Sequence, residues 1–163
     1  MPILLIVLLL RSFLAEPFRI PSGSMLPTLL IGDYILVNKY EYGIRLPITK
    51  TKIFNVSEPK RGDVIVFRYP GNENINFIKR VIGIPGDKIK YLNKQLFIND
   101  IKHKKRKQET HEYLSDFGRQ ELEIFTENDN QKIYNILNDN MSPINDDEFF
   151  VPENKYFVMG DNR

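Results

Sequence analysis

A short segment combines hydroxyl side chains with a stiff backbone. Residues 18–29 read FRIPSGSMLPTL, so that Ser22 and Ser24 flank a glycine between two prolines. Proline fixes φ and stiffens the loop at both ends, whereas Gly23 permits a close turn that exposes nearby backbone N–H groups. A serine on such a loop suits a nucleophile beside an oxyanion site. By itself, Ser-Gly-Ser is more typical of a surface turn, because these residues are common in turns.

Two cations interrupt an apolar strand pattern. Residues 77–84 read FIKRVIGI, and alternation along a strand places Lys79 and Arg80 on opposite faces. An embedded charge is costly unless it has a partner. Burial lowers the pKa of a lysine, which can then act as a general base, whereas Arg80 keeps its proton and suits a structural ion pair. The competing interpretation is an edge strand whose long side chains extend to water.

A turn-like tetrapeptide follows the last apolar strand pattern. It reads Gly160-Asp161-Asn162-Arg163, and these residue types are common in turns. Asp161 offers the carboxylate that Arg80 needs. On its own, the tetrapeptide indicates only a loop.

The composition excludes several other kinds of chemistry. The 163 residues include no cysteine, which excludes disulfides, thiolate zinc sites and a cysteine nucleophile. The two histidines, His103 and His111, lie in a polar stretch, so neither a His-based triad nor a multi-His metal site is expected. The net charge of +2 is too small for nucleic-acid binding driven by bulk charge. Any hydrolytic chemistry must therefore use hydroxyls, lysines or carboxylates.

Short β-strand patterns separated by turn residues surround these segments. Strands are predicted at 34–37, 64–69, 76–84, 88–91, 95–98, 149–151 and 156–159. Glycine and proline punctuate them, and Leu92-Asn93-Lys94 suits a hairpin. Residues 17–100 show no long helical period, so the fold is predicted to be mostly β.

Residues 101–148 have a different composition. A strongly basic run at 102–107 is followed by acidic and asparagine-rich sequence with sparse apolar residues. This pattern predicts a solvated insert between core strands, in the form of an extended β-ribbon with loops. A nucleic-acid or anionic-lipid surface at 102–107 is the weaker alternative.

Both ends of the chain suggest a fragment. Residues 1–10 read MPILLIVLLL, about half of the roughly 20 apolar residues that a bilayer span needs. A signal-peptide core would have a basic stretch in front, and an all-round apolar core helix would need a deep slot. We therefore expect the C-terminal part of a transmembrane helix here, and we expect further sequence beyond the turn at 160–163.

Taken together, five segments resemble bacterial type I signal peptidase, a membrane-bound Ser/Lys endopeptidase. They are residues 20–29, 32–39, 60–67, 77–87 and 159–163, in the order in which that family carries them. The resemblance implies a mostly β fold, with a signal-peptidase-like β-barrel or sandwich catalytic domain at residues 17–100 and 149–163. It also implies a partial transmembrane helix at 1–16 and a β-rich insert at 101–148.

The resemblance also implies roles for individual residues. Ser24 matches the nucleophile and Lys79 the general base, while the Ser22 hydroxyl and the Ser24 backbone N–H match the oxyanion donors. Asp161 and Arg80 match an ion pair that supports the lysine strand. Positions that line the shallow apolar S1 and S3 pockets are matched by Ile20, Pro21, Met25, Leu29, Phe77, Ile78 and Val158. Phe77 stands where a tyrosine is common, which removes a hydroxyl but keeps the ring.

The activity implied by the resemblance is removal of signal peptides from exported preproteins after Ala-X-Ala-type sites, through an acyl-enzyme. No metal or cofactor is implied. The implied partners are signal peptides and the lipid bilayer, without nucleic acid, for a monomer of the bacterial inner membrane with its catalytic domain on the periplasmic side. In the family, a serine that positions the lysine lies beyond the segment that ends here at Arg163. We therefore expect the 163-residue chain alone to be unstable or poorly active.

Two other functions remain open from the sequence. A Ser/Lys self-cleaving repressor-like domain shares the β-fold and the dyad, but it predicts a soluble chain, against which the apolar residues 1–10 argue. A non-enzymatic, membrane-anchored β-domain that binds partners predicts that Ser24→Ala and Lys79→Ala leave function unchanged.

Overall fold

The computed structural model describes residues 15–38, 41–42, 44–45, 52–54, 57–115, 118–128, 132–139 and 147–163. These residues form fourteen strands and one short 3₁₀ turn at Gly23–Met25. The strands are β1 (Ala15–Arg19), β2 (Tyr34–Asn38), β3 (Ile44–Arg45), β4 (Lys52–Phe54), β5 (Val64–Tyr69), β6 (Asn72–Gly83), β7 (Lys88–Leu92), β8 (Gln95–Ile98), β9 (Ile101–Lys102), β10 (Lys104–Ser115), β11 (Gly118–Asn128), β12 (Ile133–Asp139), β13 (Asp147–Phe150) and β14 (Phe157–Met159). The prediction of a mostly β fold is confirmed.

The predicted transmembrane segment falls almost wholly outside the described residues. Residues 1–14 are among those that the structure does not describe, and Ala15 and Glu16 begin β1. Within the described part of the chain, no helix has the length and hydropathy that a membrane crossing requires.

The chain forms two units, of which the first comprises residues 1–21 and 31–59. In this unit β1 and β2 pair antiparallel, with Arg19 opposite Tyr34. The ladder continues past the strands, because the Ile20 N–H donates to the Asp33 carbonyl at 2.8 Å. Strands β3 and β4 form a separate antiparallel pair.

The second unit comprises residues 22–30 and 60–163 and contains three antiparallel sheets. Their strand orders are β14-β6-β5, β13-β7-β8-β9 and β10-β11-β12. The predicted hairpin between β7 and β8 is present, and its turn residues Asn93 and Lys94 both have positive φ. Positive φ at both central residues is the geometry of a type I′ turn, which matches the twist of the flanking strands.

A small apolar core holds the second unit together. It consists of Ile82, Ile89, Leu96 and Val151, each almost completely buried. These side chains come from β6, β7, β8 and the residue after β13, so the core fixes the C-terminal half of β6 against the neighbouring sheet. Because β6 also carries Lys79 and Arg80, this packing sets the position of both cations.

The insert at 101–148 is less solvated than its composition predicts. Strands β10 and β11 form the expected long hairpin, and β12 adds a third strand. In β12, however, Tyr134, Ile136 and Leu137 are buried. Part of the sparse apolar content of the insert is therefore packed, and the acidic and asparagine residues around it concealed this in the sequence.

Candidate active site

Ser24 lies in the 3₁₀ turn at Gly23–Met25, which Met25 anchors with a side chain that is only 1% exposed. The turn is closed by hydrogen bonds from the Leu26 N–H to the Gly23 carbonyl at 3.1 Å and from the Leu29 N–H to the Met25 carbonyl at 3.0 Å. Ser22 precedes it with an extended backbone, and its hydroxyl lies 3.5 Å from the Ser24 hydroxyl. The half-buried Ser24 is therefore presented on a short, well-anchored turn.

Lys79 lies in β6, opposite Ile65 of β5, with a half-buried side chain. Burial lowers the pKa of its ammonium group, and the attraction of the Asp161 carboxylate only partly opposes this effect. The ring of Phe77, on the same face of the strand, lies 5.9 Å from Nζ. An apolar wall on one side therefore contributes to the removal of water that favours the neutral amine.

Gly160 brings the Ser24 turn and Lys79 together. A methyl group on its Cα would lie 2.3 Å from the Ser24 carbonyl oxygen and 3.4 Å from Lys79 Nζ. Asn162 holds the same turn, since its backbone N–H donates to the Ser24 carbonyl and its side-chain amide donates to the Gly23 carbonyl, both at 3.2 Å. The tetrapeptide that begins at Gly160 thus contacts both predicted catalytic residues.

A buried ion pair lies on the opposite face of β6. Arg80 Nε and Nη2 donate to the two carboxylate oxygens of Asp161 at 2.8 and 2.6 Å, and Nη1 donates to the Gly62 carbonyl at 2.8 Å. The Thr28 hydroxyl donates to the same carboxylate at 2.5 Å. The ring of Tyr134 covers the guanidinium group at 4.0 Å, so both charges are paired and hydrogen-bonded, as burial demands.

Comparison with known proteins assigns the chain to a family. The family model described as signal peptidase, peptidase S26, matches residues 1–163. The chain belongs to this family. The resemblance drawn from the five sequence segments is therefore confirmed at the level of the family.

Individual signal peptidases agree with the assignment. The chain is 48% identical to signal peptidase I of Pseudomonas fluorescens, across 99% of the chain and 57% of the relative. Signal peptidase I of Pseudomonas aeruginosa is 47% identical with the same coverage, and that of Rickettsia canadensis is 40% identical across 97% of the chain and 65% of the relative. The chain thus spans a little over half the length of its Pseudomonas relatives.

The residues expected to line the signal-peptidase pockets are distributed over both units. In the first unit Ile20 is buried and Pro21 is exposed. In the second unit Met25 and Ile78 are buried, and Leu29, Phe77 and Val158 are partly buried. Alternation along β6 places Phe77 on the same face as Lys79 and Ile78 on the face of Arg80, while Val158 pairs with Val81 beside Lys79.

A shallow crevice of about 410 Å³ lies on the Arg80 side of β6. Its lining comprises Pro27, Thr28, Val64, Arg80, Ile133, Tyr134 and Asn135. Neither Ser24 nor Lys79 contributes to it, so it is separate from the candidate site of this signal peptidase family member. Across the described residues, no cluster of three or more His, Asp or Glu side chains has the geometry to hold a metal ion.

Sequence reasoning assigned no role to Thr28, Asn162 or Tyr134, which contact the site in the structure. For Thr28 the sequence contains one indication of a role, since this residue lies in the same proline-bracketed loop as Ser24. A buried Arg–Asp pair needs additional hydrogen-bond donors, and a threonine hydroxyl can supply one. For Tyr134 there is no such indication, since nothing in the sequence of the insert connects it with a strand that lies 54 residues earlier.

Proposed function

We propose that the protein is a type I signal peptidase, a serine endopeptidase that removes signal peptides from exported preproteins. The observation that carries the proposal is the position of Gly160, where an added Cβ would meet the Ser24 carbonyl oxygen at 2.3 Å and Lys79 Nζ at 3.4 Å. A serine on a turn whose backbone adjoins Gly160 and a lysine of lowered pKa next to the same glycine, in a chain of the peptidase S26 family, support a Ser/Lys peptidase.

The proposed reaction begins with neutral Lys79. Its amine accepts the proton of the Ser24 hydroxyl as the serine oxygen attacks the scissile carbonyl carbon, which gives a tetrahedral intermediate. The negative oxygen of that intermediate accepts hydrogen bonds from the Ser24 backbone N–H and the Ser22 hydroxyl. Lys79 then gives its proton to the leaving amine, and an ester forms between Ser24 and the signal peptide.

Hydrolysis of the ester completes the cycle. Neutral Lys79 removes a proton from water as the water oxygen attacks the ester carbonyl carbon, and Lys79 returns that proton to the Ser24 oxygen as the ester C–O bond breaks, which frees the signal peptide with a new carboxyl group. No cofactor takes part in any of these steps. The Arg80–Asp161 pair does not exchange protons in this scheme, and its role is to hold β6 and the Gly160 segment in place.

The substrate class follows from the family resemblance and from the residues beside Lys79. We propose cleavage after small residues in Ala-X-Ala patterns. The resemblance assigns substrate-pocket roles to Ile20, Pro21, Met25, Leu29, Phe77, Ile78 and Val158. Residues 1–16 are proposed to anchor a monomer in the bacterial inner membrane, with the catalytic domain (17–100 and 149–163) and its insert (101–148) on the periplasmic side.

The direct test is cleavage of a preprotein with an Ala-X-Ala site in detergent micelles, by the protein expressed from its complete gene. The parent is expected to release the signal peptide, and Ser24→Ala is expected to abolish release. Ser57→Ala is the matched control, because the Ser57 hydroxyl donates to the Glu41 carbonyl at 2.5 Å and has no part in the proposed reaction. Equal cleavage by parent and Ser24→Ala would overturn the assignment of the nucleophile.

A further inference from the structure

A buried carboxylate in the insert has no part in the reaction described above. Glu127 of β11 is only 1% exposed, and acidic side chains are almost never fully buried unless they are paired. Its partner is Arg163, whose Nη1 donates to Oε1 at 2.9 Å and to Oε2 at 3.0 Å. His103 Nδ1 lies 3.7 Å from Oε2, and the amine of Lys105 is the other cation that interacts with this carboxylate.

Arg163 connects that carboxylate to the segment that carries Gly160. Its Nε donates to the Gly160 carbonyl at 3.0 Å, and its backbone N–H donates to the Leu137 carbonyl at 2.8 Å. The Leu137 N–H in turn donates to the Asp161 carbonyl at 2.8 Å. Strands β11 and β12 of the insert therefore hold one side of the Gly160–Asn162 turn, while the other side contacts Ser24.

This arrangement is poorly explained as a device for stability. Removing two charges from water is expensive, and a buried ion pair is often no more stabilising than well-packed apolar side chains of similar volume. What these charge-assisted hydrogen bonds do supply is a fixed direction, because Arg163 Nη1 donates to both Glu127 oxygens while Nε donates to the Gly160 carbonyl. Here Glu127 orients the Arg163 guanidinium group, and that group holds the Gly160 carbonyl.

We propose that Glu127 is a positioning residue for the Ser24–Lys79 pair, acting through Arg163 to hold the Gly160–Asn162 turn against both. The proposal rests on the proposed function, since it assigns the insert a role in the same reaction. A displaced turn would withdraw Gly160 from Lys79 Nζ and admit water there, and water favours the charged ammonium form. Misplacement of about 1 Å at a reacting group can lower the rate by about 100-fold.

The test compares Glu127→Gln with Glu123→Gln, a control in the same strand whose carboxylate pairs with Lys107 at 2.5 Å on a more exposed site. Cleavage of a short Ala-X-Ala peptide would be measured against pH, with the rate normalised to the concentration of folded protein. For Glu127→Gln we expect kcat to fall about 10- to 100-fold with little change in KM, and the rise of kcat/KM with pH to move to higher pH. Glu123→Gln should match the parent.

A merely structural role gives a different result. Loss of stability lowers the folded fraction but leaves the kcat of the folded enzyme and its pH profile unchanged, and that outcome would overturn the proposal. Should Glu127→Gln fail to fold, Arg163→Lys repeats the test, because it keeps the buried positive charge but has no separate Nε to hold the Gly160 carbonyl while another nitrogen holds Glu127. If both fold, the double variant should be no slower than the worse single variant, since the two residues act through one contact.

Failure of the proposed function would be recognised separately. If the parent releases no signal peptide, the titration of Lys79 can still be followed by NMR of ¹³Cε-labelled lysine, with Lys79→Met used to assign its signal. A higher Lys79 pKa in Glu127→Gln than in the parent and in Glu123→Gln would support the positioning role. An unchanged Lys79 pKa would overturn it, whatever the enzymatic activity.

Discussion

The Cα of Gly160 lies so close to the Ser24 carbonyl oxygen that no side chain fits between them. A methyl group there would approach the oxygen to 2.3 Å, and the oxygen belongs to the backbone and cannot rotate away. Gly160 is therefore the point at which residues 160–163 contact the Ser24 turn, close to Lys79.

Replacement of Gly160 by alanine is expected to displace this turn. The displacement should lower kcat/KM by about 100-fold, as expected for a misplaced reacting group, with a smaller effect on the thermal transition. Gly71→Ala is the control, because the atoms nearest to a methyl group there belong to the exposed Tyr69 side chain, at 2.6 Å, and not to the backbone. Peptide-cleavage rates and circular dichroism melts of both variants would check the expectation. A fully active Gly160→Ala enzyme would show that the contact is irrelevant to catalysis.

Lys79 should reduce the stability of the folded protein at neutral pH. Burial lowers its pKa in the folded state, so the unfolded chain binds more protons between the folded pKa and the unfolded value of about 10.4. The free energy of unfolding therefore rises with pH across that window. Below the folded pKa of Lys79, the destabilisation caused by burying its charged form is fully present. Lys79→Met is expected to raise Tm at pH 7 while it abolishes cleavage, and its advantage should disappear above about pH 10.4.

The matched control for this effect is Lys90→Met. Hydrogen bonding to Asp100 raises the pKa of Lys90 instead of lowering it, so its removal should not stabilise the protein. Differential scanning calorimetry from pH 6 to pH 11 would compare the two variants with the parent. If Lys79→Met melts below the parent at pH 7, the burial of this lysine is not a stability cost.

Asp161→Asn would leave a buried guanidinium group without its counter-charge. Asp161 is 0% exposed and Arg80 is 4% exposed, and breaking a buried ion pair by removal of one partner typically costs about 3–5 kcal/mol. Urea denaturation should show this loss. Glu148→Gln, which removes a carboxylate that pairs with Lys88 and Lys90 at the surface, should leave the urea midpoint unchanged. Similar midpoints for the two variants would contradict the account.

Thr28 is expected to act through its hydroxyl and not through its shape. Thr28→Val keeps the volume and removes the donor to the Asp161 carboxylate, and a hydrogen bond to a charged group contributes about 1.5–3 kcal/mol. We expect that loss of unfolding free energy in Thr28→Val and a near-normal value in Thr28→Ser. Equal stability of Val and Ser variants would show that the hydrogen bond contributes nothing.

The sequence predicts the local part of this architecture well. The strand patterns at 64–69 and 88–91 match β5 and β7 closely, because alternating apolar residues and turn signals act over a few neighbours. The sequence also offers Asp161 as a carboxylate for Arg80, and the structure pairs the two groups. Charge complementarity operates here because buried cations seldom lack a counter-ion.

Long-range packing of the insert lies beyond such reasoning. Strand β11 carries glutamates at positions 121, 123 and 127, and this sequence pattern is typical of a solvated strand. Glu127 is nevertheless buried against Arg163. Only the tertiary contact distinguishes it from its neighbours in sequence. The same holds for the contact of Tyr134 with Arg80, which depends on how β12 pairs with the last residues of the chain.

The most direct test of the central claim is to compare four proteins with one Ala-X-Ala peptide across pH: the parent, Ser24→Ala, Lys79→Arg and Lys90→Ala. Arginine keeps a positive charge but cannot become neutral, so Lys79→Arg separates a general base from an electrostatic role. We predict that kcat/KM falls at least about 1,000-fold for Ser24→Ala and Lys79→Arg, whereas Lys90→Ala cleaves like the parent. Substantial cleavage by Lys79→Arg would contradict the account, because a residue that stays protonated cannot take the proton of Ser24.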